Sequence, residues 1–253
     1  MPIRPTEDPA IRAMDGINLF HYSQSNCAMR IRIALEEKGL AWKSHYINLD
    51  TQDNLSDDYF NIHPHGLVPS LVHDGEIVYE SSDILRYLEE KYPEPSLIPK
   101  DPTHRAEMEE WLDLTRDLHV KVIKVWVYGK ERYRSKTKES MEAYSKKQPN
   151  QELIDFHNMT LQEGHIPQDK IDAAEKKLHA LFARIDRNLE NQDWIVGDTM
   201  TLADIAWIPN YTLLKFNEFP FEQYPNAQRW INHFIARPSY KEGVDKWFDY
   251  VPA

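Results

Sequence analysis

The stretch Tyr22–Leu40, YSQSNCAMRIRIALEEKGL, decides how the rest of the chain is read. Cys27, Ile31, Ala34 and Leu35 recur at helical spacing, forming an apolar stripe that runs out at Gly39, a residue suited to a helix C-terminus. Ser25, Asn26 and Cys27 therefore stand where a short turn becomes a helix. The free N–H groups and the helix dipole at that point favour an anion: the thiolate of Cys27 itself, or that of a thiol compound docked there.

On the N-terminal side, Ile17 to Tyr22 follows Asp15-Gly16 as a short apolar strand. On the C-terminal side, Trp42 to Leu49 alternates like a second strand, and the polar run from Thr51 to His63 has room for a short helix. Asp74-Gly75 between two apolar runs predicts a hairpin of Ser70–His73 with Glu76–Tyr79. Ser81 to Tyr92 is then an amphipathic helix with Ile84, Leu85 and Leu88 inward. The order βαβ followed by ββα predicts a small α/β unit. Four prolines between Pro93 and Pro102 suit a linker, and beyond them only helical patterns appear: His104–Tyr133, Gln168–Leu189, Leu202–Lys215 and Tyr224–Ala236. Two domains are expected, an α/β domain at 15–93 and an all-helical one at 103–250. The polar stretch Lys136–Pro167 adds short helices of its own, and connections that long are usually functional or mobile.

Composition narrows the function. The chain has 253 residues, 41% of them hydrophobic, and 30 basic against 41 acidic residues give a formal net charge of −11. Such a charge argues against nucleic acid or an anionic membrane as a general partner. No run of about 18 apolar residues occurs, so no membrane span is expected. The single cysteine forms no intramolecular disulfide, and the opening MPIRPTEDPAIRAMDG is too polar for a signal peptide. A cytoplasmic protein is the expectation. Glycine-rich phosphate loops and Cys/His metal spacings are absent, so neither a nucleotide nor a metal is expected.

Three further signals carry chemistry or structure. At Val68-Pro69, a cis peptide would leave the backbone of Val68 unpaired at the sheet edge, open to an extended peptide by strand addition, whereas an ordinary trans proline would simply open a strand. Glu80-Ser81-Ser82 joins hairpin to helix; Ser81 is the expected N-cap, and the pair Glu80 and Ser81 could hold an amino-acid head group. Thr201-Leu202-Ala203-Asp204 matches a capping box with Asp in place of the usual Glu, a structural feature.

The turn SQSNCAMRIRIAL, then GLVPSL, ESSDILRYLEEKYPE and GDTMTLADIAWIP, in this order and spacing, resemble the soluble glutathione transferases across nearly the whole chain. The resemblance implies a thioredoxin-like N-terminal domain followed by an all-α C-terminal domain, with glutathione as cosubstrate. Transferred position by position, it implies that Val68 pairs with the cysteinyl part of glutathione before a cis Pro69. Glu80 and Ser81 would hold the γ-glutamyl end, His65 would reach the glycyl carboxylate, and Ser25 or Asn26 would donate a hydrogen bond to the sulfur. Tyr22 ranks behind these two, because its spacing to the helix is shorter than in the tyrosine classes.

Cys27 is similar to the reactive cysteine of the tetrachlorohydroquinone dehalogenases, whose turn also reads Ser-x-Cys-x-Met; it also lies on the apolar stripe with Ile31 and Leu35, as an inert core cysteine would. The segment KKQPNQELIDFHNMTLQEGHIPQDKI, with DPTHRAEMEEW and ARPSYKE, is similar to bacterial glutathione-dependent β-etherases of lignin breakdown. That likeness implies displacement of an aryloxide from the carbon beside a ketone, and hence an aromatic substrate. Trp111, His119, Trp126, Tyr128, Tyr133, Trp207 and Tyr211 are the aromatic set for such a pocket, most of them expected in the core. The family likeness also implies a dimer, with an identical or related subunit. A partner subunit that keeps the fold without the catalysis is the non-enzyme alternative.

Overall fold

A computed structural model describes residues 3–130, 137–162 and 166–249. Its first part is a five-stranded mixed sheet with helices on both faces. In chain order the elements are β1 (Ile3–Arg4), α1 (Pro9–Arg12), β2 (Ile17–His21), α2 (Asn26–Glu37), β3 (Trp42–Tyr46), α3 (Asp57–Ile62), β4 (Ser70–His73), β5 (Glu76–Tyr79) and α4 (Ser81–Lys91). The strand order is β1-β5-β4-β2-β3, with β2 and β3 parallel and the other neighbours antiparallel. The hairpin forms as expected, with Asp74 and Gly75 both at positive φ (49° and 81°), the backbone of a tight two-residue turn. The sheet starts earlier than the expected domain limit at residue 15, because β1 adds an edge strand beside β5.

Strand alternation sorts the core. Leu19, Leu71 and Val78 face α2 and α4, while their neighbours Phe20, Val72 and Ile77 face α1 and α3 with Ile11, Tyr59 and Ile62. The first face is continuous with the helical part, so one apolar core runs through both.

The Pro-rich stretch is fastened rather than loose. Lys38 Nζ donates to the carbonyls of Tyr92 (2.7 Å) and Pro95 (3.0 Å) and pairs with Glu89 at 2.6 Å, both side chains buried. The helical part then comprises α5 (Pro102–Leu118), α6 (Val125–Tyr128), α7 (Lys138–Lys147), α8 (Gln151–Gln162), α9 (Gln168–Asn188), α10 (Leu202–Phe216), α11 (Pro225–Ile235), α12 (Pro238–Tyr240) and α13 (Lys246–Phe248). A π-helical turn, His119–Lys124, links α5 to α6. The capping box at Thr201 and Asp204 is present, and the Asp204 carboxylate also accepts from Ile195 N and Trp230 Nε1. Trp111, Trp126, Trp207 and Tyr211 are all core residues, His119 and Tyr128 are half-buried, and Tyr133 lies outside the described residues.

The polar stretch after residue 136 folds back onto the α/β part. Met141, Tyr144 and Leu153 bury with Leu55, while Lys147 Nζ donates to Leu55 O (3.0 Å) and Gln148 Nε2 to His65 O (2.9 Å). No helix among the described residues is long and apolar enough to cross a membrane.

Candidate active site

Register brings three segments to one end of the sheet. Ser70 pairs with Phe20 on one side and with Tyr79 on the other, so the end of β2, the start of β4 and the end of β5 meet there. The turn 22–25 and α2, the Val68-Pro69 loop, and Glu80-Ser81 with α4 therefore emerge side by side.

Ser25 is the N-cap of α2: its hydroxyl accepts from Ala28 N (3.3 Å), which leaves its own O–H free to donate. The turn before it is pinned from below by Arg32, whose buried guanidinium donates to Tyr22 O (3.2 Å), Ser23 O (2.9 Å) and Gly243 O (2.6 Å). Arg32 also donates to His21 Nδ1 at 3.1 Å. Burial, followed by that cation, pushes the His21 pKa down to about 3. The hydroxyl of Tyr22 is committed to Asp50 Oδ2 (2.8 Å), and its pKa is raised, first by burial and then by that bond.

Asn26, the first residue of α2, has other partners. It is buried, and its amide nitrogen donates to Asn210 Oδ1 of α10 at 2.8 Å, with His119 Nδ1 at 3.5 Å. Cys27 is half-buried, whereas Ile31 and Leu35 on its stripe are fully buried. Arg30, one turn along, is 2% exposed; its Nη1 donates to Ser81 Oγ (3.2 Å), and its Nε and Nη2 have no partner among the described residues.

The Val68-Pro69 bond is cis. β4 is an interior strand, so Val68 lies off its end rather than along the lateral edges that β1 and β3 occupy. Its loop is held by Asn54 Nδ2 to Gly66 O and by Tyr59 Oη to Leu67 O, both 2.6 Å. Ser81 is not the N-cap. Glu80 takes that position at φ 68°, no side chain caps the helix, and Ser81 is its first residue, bonded to Arg30. The first-turn N–H groups of α4 are therefore left without a side-chain acceptor. Burial raises the Glu80 pKa. Among the described residues no cluster of three or more His, Cys, Asp or Glu side chains could hold a metal.

Comparison with known proteins returns the same architecture, a thioredoxin-like sheet backed by a helical domain. Residues 19–96 match the glutathione S-transferase N-terminal domain and residues 130–238 the C-terminal domain. The chain belongs to the glutathione S-transferase family. It is a glutathione transferase, with glutathione as its cosubstrate.

The transferase is 29% identical over 247 residues to Protein LigF of Sphingobium sp. (strain NBRC 103272 / SYK-6), covering 91% of this chain and 93% of that one. The crystal structure of β-etherase LigF superposes with a TM-score of 0.79 at 27% identity, over 91% of this chain and 99% of the other. The glutathione-bound theta-class transferase of Xanthomonas axonopodis pv. citri superposes at 0.70 with 25% identity, over 91% and 98%. The glutathione S-transferase TCHQD of Arabidopsis thaliana is 24% identical over 92% of this chain and 91% of its own. The residues that sequence reasoning left unremarked are Arg30, Arg32 and Asn210; of these, Arg30 stands at i+4 from Asn26 on one helix face, a spacing readable in advance.

Proposed function

We propose that this transferase cleaves β-aryl ethers: glutathione thiolate attacks the carbon beside a ketone and an aryloxide departs, leaving a glutathione thioether and a phenol. The observation that carries this reading is the full-length likeness to LigF, whose structure superposes at 0.79 where the theta-class structure reaches 0.70. The sulfur is assigned to the N-terminus of α2, with Ser25 as its hydrogen-bond donor. An ordinary thiol pKa near ~8.5 leaves only a few per cent thiolate at neutral pH, and lowering it by ~2 units corresponds to roughly 2.7 kcal/mol, within reach of one charge-assisted bond plus a helix dipole. Ser25 is preferred to Asn26 in this role, because one amide N–H of Asn26 is already given to Asn210.

The remaining assignments follow from position. Val68, preceding Pro69, would offer its backbone to the cysteinyl part; the uncapped start of α4 at Ser81, with Glu80, would take the γ-glutamyl head; and His65, in the loop before Val68, would take the glycyl carboxylate. Residues 15–93 would then be the glutathione-binding domain and 103–250 the substrate domain. The half-buried His119 and Tyr128 are the members of the aromatic set available to an aromatic substrate. A cytoplasmic dimer, with an identical or related subunit, completes the reading.

Cys27 supports a second reading. Its half-buried position beside the buried Arg30 suits a thiolate that attacks the sulfur of a glutathionyl hydroquinone, forming a mixed disulfide and releasing the reduced ring, as in reductive dehalogenation. Incubation with glutathione and, in turn, a β-aryl ether ketone, a chlorohydroquinone and an aryl chloride separates the readings by product. Phenol and thioether from the ether are expected. Turnover of the chlorohydroquinone alone would replace the first reading with the second.

A further inference from the structure

His119 opens the π-helical turn between α5 and α6, a departure from α-helix of the kind that often marks a functional position. It meets Asn26, the first residue of α2, next to the thiol site. The Asn26 amide nitrogen carries only donors, one directed at Asn210 Oδ1 (2.8 Å) and the other toward His119 Nδ1 (3.5 Å). That arrangement makes Nδ1 the lone-pair nitrogen and puts the ring proton on Nε2. Among the described residues Nε2 has no hydrogen-bond partner, although the ring is half-buried. Burial, and after it the charges of Lys124 on its own turn and Arg30 of α2, push the imidazole pKa well below its ordinary value and keep the ring neutral.

We propose that His119 is a catalytic residue whose Nε2–H donates a hydrogen bond to the departing aryl oxygen of the substrate, with Asn26 positioning its ring. The inference rests on the ether-cleavage reading. As the C–S bond forms and the C–O bond breaks, the electron pair of the broken bond goes to the aryl oxygen. That oxygen leaves as phenolate against the Nε2–H and takes its proton afterwards from solvent. A neutral imidazole suits this task, since it stabilises the charge as it develops without having to give up a proton.

The test has two parts on the full-length enzyme. The ¹⁵N spectrum of His119 at neutral pH should show a neutral ring protonated on Nε2; a ring protonated on Nδ1 overturns the proposal. Rates are then compared across ether ketones whose leaving phenols differ in acidity, for wild type, His119→Phe and His119→Gln. His119→Phe should slow the least acidic phenol by ~100-fold and a nitrophenol by far less, and His119→Gln, which keeps a donor, should recover part of the loss. An equal loss across the series, or none, means His119 only shapes the site and overturns this inference while ether cleavage stands. No phenol release by wild type overturns the ether reading and this inference with it.

Discussion

Ser25 and Cys27, two residues apart, carry the two readings proposed for the α2 N-terminus. The apolar stripe read from the sequence is real at Ile31 and Leu35, but Cys27 at its start is half-buried although its neighbours Asn26 and Ala28 are buried. Ether cleavage by glutathione thiolate gives Cys27 no covalent part. Cys27→Ala should therefore cleave β-aryl ethers at the wild-type rate and show no glutathionylated protein by mass spectrometry; loss of cleavage would instead make Cys27 the nucleophile. The pairing of Asn26 with Asn210 could not be read in advance, because it joins positions 184 apart in sequence. Spacing gives both Ser25 and Asn26 as donors; the contact with Asn210 is the reason Ser25 is preferred in the proposed mechanism.

Local periodicity set most elements well. α2, the Asp74-Gly75 hairpin and the capping box at Thr201 form where spacing put them, because each is decided by residues a few positions apart. β1 is two residues long and has no period to detect. Residue type suggests Ser81 as N-cap; Glu80 holds that position at φ 68° instead, and the Ser81 hydroxyl accepts from Arg30, a partner far away in sequence that spacing does not reveal. Gly66 is a different case: its φ is +55°, and a Cβ there would meet Asn54 O at 2.6 Å and the Phe60 ring at 3.1 Å. Gly66→Ala should destabilise the protein by about 2 kcal/mol, lowering Tm by roughly 4–8 °C, and should weaken glutathione binding through the displaced Val68. An unchanged melting curve by calorimetry would contradict this.

At the scale of the molecule, the α7–α8 excursion was legible as an unusual polar stretch but not in its destination, since Met141, Tyr144 and Leu153 find Leu55 only after the domains fold together. Burial of neutral histidines sets the acid response. His21 and His63 are pushed down from 6.5 to about 3, and His119 well below its ordinary value. Below about 6.5 the unfolded chain takes up protons that these rings refuse, so their stabilisation is present above that pH and drains away as pH falls toward 3. Asp204, raised by burial from 3.8 to about 6, acts oppositely between those values; Glu80 and Asp245, both raised by burial, act in the same sense as Asp204, while His45, lowered by burial, acts with the other histidines. The urea midpoint should be lower at pH 5 than at pH 7; a higher one would contradict the assignment of the buried rings as neutral. The central claim is that Ser25 at the start of α2 holds glutathione as a thiolate for ether cleavage. Its most direct test is the thiolate absorbance of enzyme-bound glutathione across pH, measured together with phenol release, in wild type and Ser25→Ala. The account predicts a bound-thiol pKa below that of free glutathione in wild type, a rise in the variant, and a fall in kcat/KM by roughly 10² to 10³; an unchanged thiolate band and rate in Ser25→Ala would contradict it.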